Sequence, residues 1–203
     1  MPAVFYLNFL VLGNNKKKQG EKQMKAVILA DKYSEETIEE IINHYKKYGI
    51  SNVVICQSWD KEAIEEGNLC GIRVTYAKIS NCKSTSGQLL KIRGLLEEKR
   101  FFLTLGDFIC DIDLLNLLSF HRGQGLLLTV STIKSEDNTY VNGGFFVVEN
   151  EIYDYITENS RGIEADVLSR IGEDGEIAFY TYCGKARSIY TKKDVYQINS
   201  SKI

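Results

Sequence analysis

The 203-residue sequence predicts a doubly wound, mostly parallel α/β sheet with helices on both faces. Two observations carry that expectation. Runs of β-forming residues alternate with helical stretches along the chain, the order that builds parallel sheets through helical crossovers. The runs at residues 25–29 (KAVIL) and 101–105 (FFLTL) also lack period-2 alternation, as strands covered on both faces do.

Residues 25–29 form the first buried strand. Residues 34–48 read as a helix, with Ile38, Ile41, Ile42 and Tyr45 on one stripe and Gly49 placed to stop it. A second strand is expected at 52–56, a short helix at 61–66 and a strand at 72–76. Residues 88–98 are amphipathic and lead into the strand at 101–105. Asp113 can cap a helix over 114–122, which Gly123 and Gly125 end. Strands follow at 126–133 and 145–148, helices near 151–158 and 164–171, a late strand at 177–182, and a last helical turn or two at 192–199.

The hydrophobic content of 44% is enough for one α/β domain with a full core. A net charge of −2 shows no basic excess, which argues against a nucleic-acid partner. Cys56, Cys70, Cys82, Cys110 and Cys183 are odd in number and scattered, with no C-x-x-C pair. That pattern favours a reducing cytosol over a disulfide framework or a zinc site. His44 and His121 fall within predicted helices and are expected on helix surfaces.

Residues 1–23 stand apart as an N-terminal extension outside the fold, with a single domain over 24–203. The apolar run at 3–12 is too short to span a bilayer. Its lysines, Lys16 to Lys18, follow it instead of preceding it as in a signal peptide. Met24 begins the first strand and looks like a natural start.

The segment from Phe101 to Asp113, FFLTLGDFICDID, places Gly106-Asp107 at the end of a buried strand. Ligands of open α/β sheets bind at that end. A carboxylate there can hold Mg²⁺ against phosphates, or it can simply start a turn. Both readings stay open on this stretch alone.

The order of motifs resembles the sugar nucleotidyltransferase family, and most of all glucose-1-phosphate cytidylyltransferases. Lys25-Ala26-Val27-Ile28-Leu29-Ala30 is similar to that family's first strand. Thr85-Ser86-Gly87-Gln88-Leu89 is similar to its Thr-Gly-Gly-Arg-Leu segment. The FLTLGDFICDIDL run with Phe120-His121, and Val141-Asn142-Gly143-Gly144-Phe145-Phe146-Val147, resemble the cytidylyltransferases. Ile163-Glu164-Ala165-Asp166-Val167-Leu168 is similar to their Trp-Glu-Gln-Glu-Pro-Leu.

The resemblance implies a nucleotide-diphospho-sugar transferase-like fold. It also implies a reaction joining a nucleoside triphosphate to a sugar 1-phosphate with release of pyrophosphate. Catalysis of that kind rests on positioning and charge neutralisation. By resemblance, Asp107 would bind Mg²⁺, and Thr85, Ser86 and Gly87 would lie near the base. Asn142, Gly143 and Gly144 would approach the sugar, and Glu164 would accept from its hydroxyls. Each has a plain structural alternative: a helix cap at Thr85-Ser86, a turn at Asn142-Gly143, a favourable helix-terminal charge at Glu164.

The departures from the pattern bear on activity. The family's glycine-rich phosphate loop is replaced by Asp31-Lys32-Tyr33-Ser34, and its Lys-Pro segment is absent. Its Glu-Lys-Pro sugar segment does not fit between Thr129 and Val141, and Tyr190 stands where a second metal-binding Asp is expected. Several of those segments carry prolines, and Pro2 is the only proline here. Losing one preorganised donor costs roughly 10² to 10³ in rate. The sequence therefore predicts a protein that binds a nucleotide or nucleotide sugar, with Mg²⁺ held weakly by Asp107, and with weak or lost transfer. A regulatory or assembly role, with a protein partner or a second copy, would follow. No residue is assigned a catalytic role. Three alternatives stand beside it: an active enzyme with a reduced site, a metal-dependent glycosyltransferase using Asp111-Ile112-Asp113, and a purely structural partner.

Overall fold

The computed structural model describes residues 24–82, 84–105, 108–134, 139–182, 184–189 and 195–197. The extension at 1–23, Asp107 and Tyr190 lie outside these residues.

Strand β1 (Ala26–Leu29) runs through the middle of the molecule, and its four side chains are at most 5% exposed. Strand side chains alternate between faces. Ala26 and Ile28 accordingly join one core, and Val27 and Leu29 join the other. Helix α1 (Glu35–Lys47) lays Ile38, Ile41, Ile42 and Tyr45 on the first core. Ser34 caps it by accepting from the Thr37 N–H at 3.3 Å. β2 (Asn52–Ser58), β3 (Ala63–Leu69) and β4 (Ile72–Ile79) follow. Short α2 (Thr85–Lys91) packs Leu89 into the second core, and β5 (Arg100–Thr104) returns through the centre.

β6 (Phe108–Cys110) leads to α3 (Leu114–Gln124), capped by Asp113 and ended by Gly125 in the left-handed region. β7 (Leu128–Lys134), β8 (Tyr140–Glu149), a π-helical turn (Ile163–Val167) with α4 (Leu168–Glu173), and β9 (Ile177–Tyr182) complete the main layers. β10 (Lys185–Ser188) and β11 (Val195–Gln197) form a small second sheet with β6.

The main sheet has eight strands in the order β3-β4-β2-β1-β5-β8-β7-β9. The pairs β1–β2, β1–β5, β2–β4 and β7–β9 are parallel, and β3–β4, β5–β8 and β7–β8 are antiparallel. This is a mixed, doubly wound sheet with helices on both faces. The carboxyl ends of β1, β2 and β5 lie side by side, which is where a ligand is expected.

Several local expectations change. Residues 61–66 are not helical, because β3 pairs along its length with β4 through a two-residue turn. Cys70 and Gly71 both have positive φ (53° and 78°), the geometry of a hairpin turn that suits strand twist. Sheet pairing there overrides the helical preference of Lys, Glu and Ala. The stretch near 151–158 narrows to a 3₁₀ turn (Asn150–Asp154), and α2 ends at Lys91, short of residue 98. Within 192–199, the described residues 195–197 pair as a strand with β10. His44 and His121 are buried, 9% and 1% exposed, and not on helix surfaces.

Candidate functional site

The first turn of α2 is the hub of a polar seam along the carboxyl ends of the strands. Ser84 caps the helix by accepting from the Gly87 N–H at 3.1 Å. The Thr85 hydroxyl accepts from the Ile163 N–H at 2.8 Å, and the Ser86 hydroxyl donates to the Ser160 carbonyl at 3.1 Å. Ser86 is fully buried. Gly87 is required by close approach, since a Cβ there would lie 2.5 Å from Cys82 Sγ and 3.0 Å from Ser84 Oγ. Thr85 and Ser86 thereby pin the loop that delivers Glu164.

Glu164 sits in the π-helical turn, a geometry frequent at functional sites. Its Oε1 accepts from Asn142 Nδ2 at 2.8 Å. The same amide nitrogen lies 3.4 Å from the Leu105 carbonyl, and Asn142 Oδ1 accepts from the Gly144 N–H at 2.8 Å.

A β-bulge sets this corner. The β7–β8 register shifts between Val130 and Thr132, leaving Ser131 beside Gly143 and Gly144. A Cβ on Gly143 would lie 2.8 Å from Ser131 Oγ, and Gly144 has φ +87°. Bulges of this kind re-aim side chains beside active sites. The structure thus brings Asn142, Gly143, Gly144 and Glu164 together, and joins them through Ile163 to Thr85. Leu105 ties in through its N–H to the Gly144 carbonyl at 3.1 Å.

On the other side of α2 lies a group that no motif pointed to. Asp31 follows β1 at its carboxyl end. The Ser58 backbone N–H donates to its Oδ1, and the Ser58 hydroxyl to its Oδ2, both at 2.6 Å. Gln88 Nε2 donates to Oδ2 at 2.7 Å and to Ser58 Oγ at 2.9 Å. Asp31 and Ser58 are exposed, whereas Gln88 is only 2% exposed. The sequence carried one cue, an Asp after β1 where glycines were expected; its partners, 27 and 57 residues away, left none.

The Asp111-Ile112-Asp113 segment divides its carboxylates between two jobs. Asp113 Oδ1 accepts from the Leu115 and Asn116 N–H groups at 2.8 and 3.0 Å, and Asp111 accepts from the Tyr182 hydroxyl. Among the described residues no cluster of three metal-ligating side chains occurs. Burial pushes the Cys56 and Cys110 thiols up to about 12, so both are protonated near neutral pH.

Comparison with known proteins relates the chain to sugar nucleotidyltransferases. No family model matches the chain. It is 26% identical over 149 residues to a Bacillus subtilis protein assigned as a glucose-1-phosphate cytidylyltransferase, covering 63% of this chain and 59% of that protein. It is 23% identical to the glucose-1-phosphate cytidylyltransferase of Salmonella typhimurium, covering 84% of this chain and 93% of that one. That alignment runs to 238 positions, more than this chain has residues, so the relative carries segments that this chain lacks.

Among solved structures, HddC from Yersinia pseudotuberculosis superposes with a TM-score of 0.64 at 13% identity, over 84% of this chain and 95% of that one. A Bacillus anthracis protein assigned as a glucose-1-phosphate thymidylyltransferase gives 0.63 at 15% identity, over 83% and 91%. The chain resembles sugar nucleotidyltransferases in sequence and has their fold. It spans 59% of the length of the Bacillus subtilis relative, and 49% of a similar mannose-1-phosphate guanylyltransferase from Mycobacterium tuberculosis. No helix among the described residues is long and apolar enough to cross a membrane.

Proposed function

We propose that this chain is a sugar nucleotidyltransferase-like protein that binds a nucleotide sugar and transfers nucleotidyl groups weakly or not at all. The observation that carries this reading is Asp31. At the carboxyl end of β1, where an NTP-using site needs donors for phosphate oxygens, the chain supplies a carboxylate that consumes those donors itself. The residues proposed for the sugar, by contrast, lie together. Asn142 and Glu164 are held against each other at 2.8 Å over a glycine-lined bulge, with oxygens and an amide that suit sugar hydroxyls. A HddC structure complexed with GMP-PN shows the same fold (TM-score 0.61), which supports a nucleotide as part of the ligand.

Mg²⁺, where it binds, would rest on Asp107 with ligand phosphates and water. The described residues hold no group of three metal-ligating side chains, and the binding proposed here does not depend on Mg²⁺. The glycosyltransferase alternative has less support, since Asp113 Oδ1 caps α3 and Asp111 accepts from the Tyr182 hydroxyl.

A thermal-shift screen with nucleotide sugars tests the binding. A ligand at 100 times its dissociation constant adds about 2.7 kcal/mol. For a chain of this size that raises Tm by about 5 to 10 °C. Asn142→Ala and Glu164→Gln should each weaken the active ligand about tenfold, the scale of one hydrogen bond to a charged group. Pyrophosphate release from nucleoside triphosphates with sugar 1-phosphates should stay near background. Turnover at the level of ordinary transferases, abolished by Asp107→Asn, overturns the reading. So does the absence of any shift across the screen, which would leave a structural role.

A further inference from the structure

Three donors from two elements converge on the Asp31 carboxylate: the Ser58 N–H, the Ser58 hydroxyl and the Gln88 amide. Gln88 is buried, and both of its amide hydrogens are committed, one to Asp31 Oδ2 and one to Ser58 Oγ. Burying such an amide is costly unless it is bonded. Convergent N–H and O–H donors around one anion, at the carboxyl ends of β1 and β2, make a donor set able to take another anion such as a phosphate group. Here the anion is part of the chain. Asp31 and Ser58 are exposed, so the nest opens to solvent and a diffusing anion can reach it once the carboxylate is removed.

We infer that Asp31 is a built-in anion that fills a nest of converging donors and turns the cleft against ligands carrying a free polyphosphate, in favour of ligands that end in an uncharged group. This deepens the proposed reading and rests on it for the identity of the cleft. A nucleoside triphosphate brings a terminal, multiply charged phosphate chain, whereas a nucleotide sugar ends in a neutral ring. A fixed negative charge at contact distance penalises the first far more than the second. With Asp31 replaced, the Ser58 hydroxyl can point to an incoming anion or, in its absence, to the Cys82 carbonyl 3.0 Å away.

Sodium pyrophosphate, which carries neither base nor sugar, is the probe. Its affinity is measured by calorimetry for the native chain, Asp31→Ala, Asp31→Ser and the double variant Asp31→Ala with Gln88→Met. The native chain should bind it weakly. Asp31→Ala and Asp31→Ser, whose short side chains leave the nest open, should bind at least about tenfold more tightly, with the gain shrinking as salt rises. The double variant should lose most of that gain. Serine suits a turn position, so Asp31→Ser carries the test if Asp31→Ala is poorly folded. Equal affinity in native and variant chains overturns the inference, and so does a gain that survives Gln88→Met. Failure of the nucleotide-sugar screen with success here would remove the sugar-side reading and keep the nest; the reverse pattern would keep nucleotide-sugar binding, remove the nest and leave weak transfer without its Asp31 account.

Discussion

Burial decides the chemistry of the two histidines. His121 places Nδ1 2.9 Å from the Thr129 hydroxyl and Nε2 3.0 Å from Glu149 Oε1, with Arg100 paired to the same carboxylate at 2.9 Å. His44 packs its ring near Phe145 and Tyr48, and its Nε2 donates to the Ile112 carbonyl at 2.8 Å. Desolvation lowers both below the usual imidazole value. Glu149 opposes that shift at His121, while the Ile112 carbonyl, Asp111 and Glu40 oppose it at His44; Arg100, Arg122 and Lys47 add to it. A base whose folded pKa is depressed takes its proton first in the unfolded chain. Stability from these two groups is therefore full above the ordinary value of about 6.5 and falls as pH drops through it toward the folded values. Tm measured from about pH 7.5 down to about 5.5 should fall, and His44→Gln with His121→Gln should flatten that slope. An equally steep slope in the double variant would assign the loss to carboxylates.

At the scale of elements, α2 and its surroundings show how close approach constrains residue choice. Gly87→Ala places a methyl 2.5 Å from Cys82 Sγ, inside the helix turn that also holds Thr85, Ser86 and Gln88. Overpacking of this kind costs about 1 to 3 kcal/mol. Cys82→Ala removes the obstructing sulfur, so the double variant should recover at least about 0.5 kcal/mol relative to additivity in denaturant unfolding. Strict additivity would mean that the strain arises elsewhere.

What could be read in advance follows the range of the forces involved. β1, α1, the Asp113 cap and the Gly125 stop depend on neighbouring residues and were legible. β3 was not, because its strand form comes from pairing with β4 across the hairpin. The motifs around Thr85, Asn142 and Glu164 stood out by their order, but the Asn142–Glu164 contact and the Thr85–Ile163 bond exist only once three elements meet. The Asp31 nest had an even fainter signal, because Ser58 and Gln88 are ordinary residues until the sheet brings them to the end of β1.

For the whole molecule, the central question is whether one sheet makes two cores behave as one. Ile41 on α1 and Ile171 on α4 are both fully buried, on opposite faces of the sheet. The strands between them are shared, since β1 and β5 each send side chains to both cores, with Phe102 on one side and Phe101 and Leu103 on the other. Neither core can open without exposing strands that the other needs. Ile41→Ala and Ile171→Ala should each cost about 2 to 5 kcal/mol, which for this length lowers Tm by about 4 to 20 °C. Their sites share no side-chain contact across the sheet, so the losses should add to within about 0.5 kcal/mol. Unfolding should nonetheless remain a single transition in every variant, with far-ultraviolet circular dichroism and tryptophan fluorescence coincident. Trp59 lies just past β2, toward the β3 edge of the sheet, so its fluorescence reports on the far end of the molecule from α4. An Ile171→Ala chain in which helix signal is lost at lower temperature than the Trp59 signal would show that the two faces unfold separately. The polar seam at α2, which joins the β1 and β2 ends to the α4 side, would then be the place where the molecule divides.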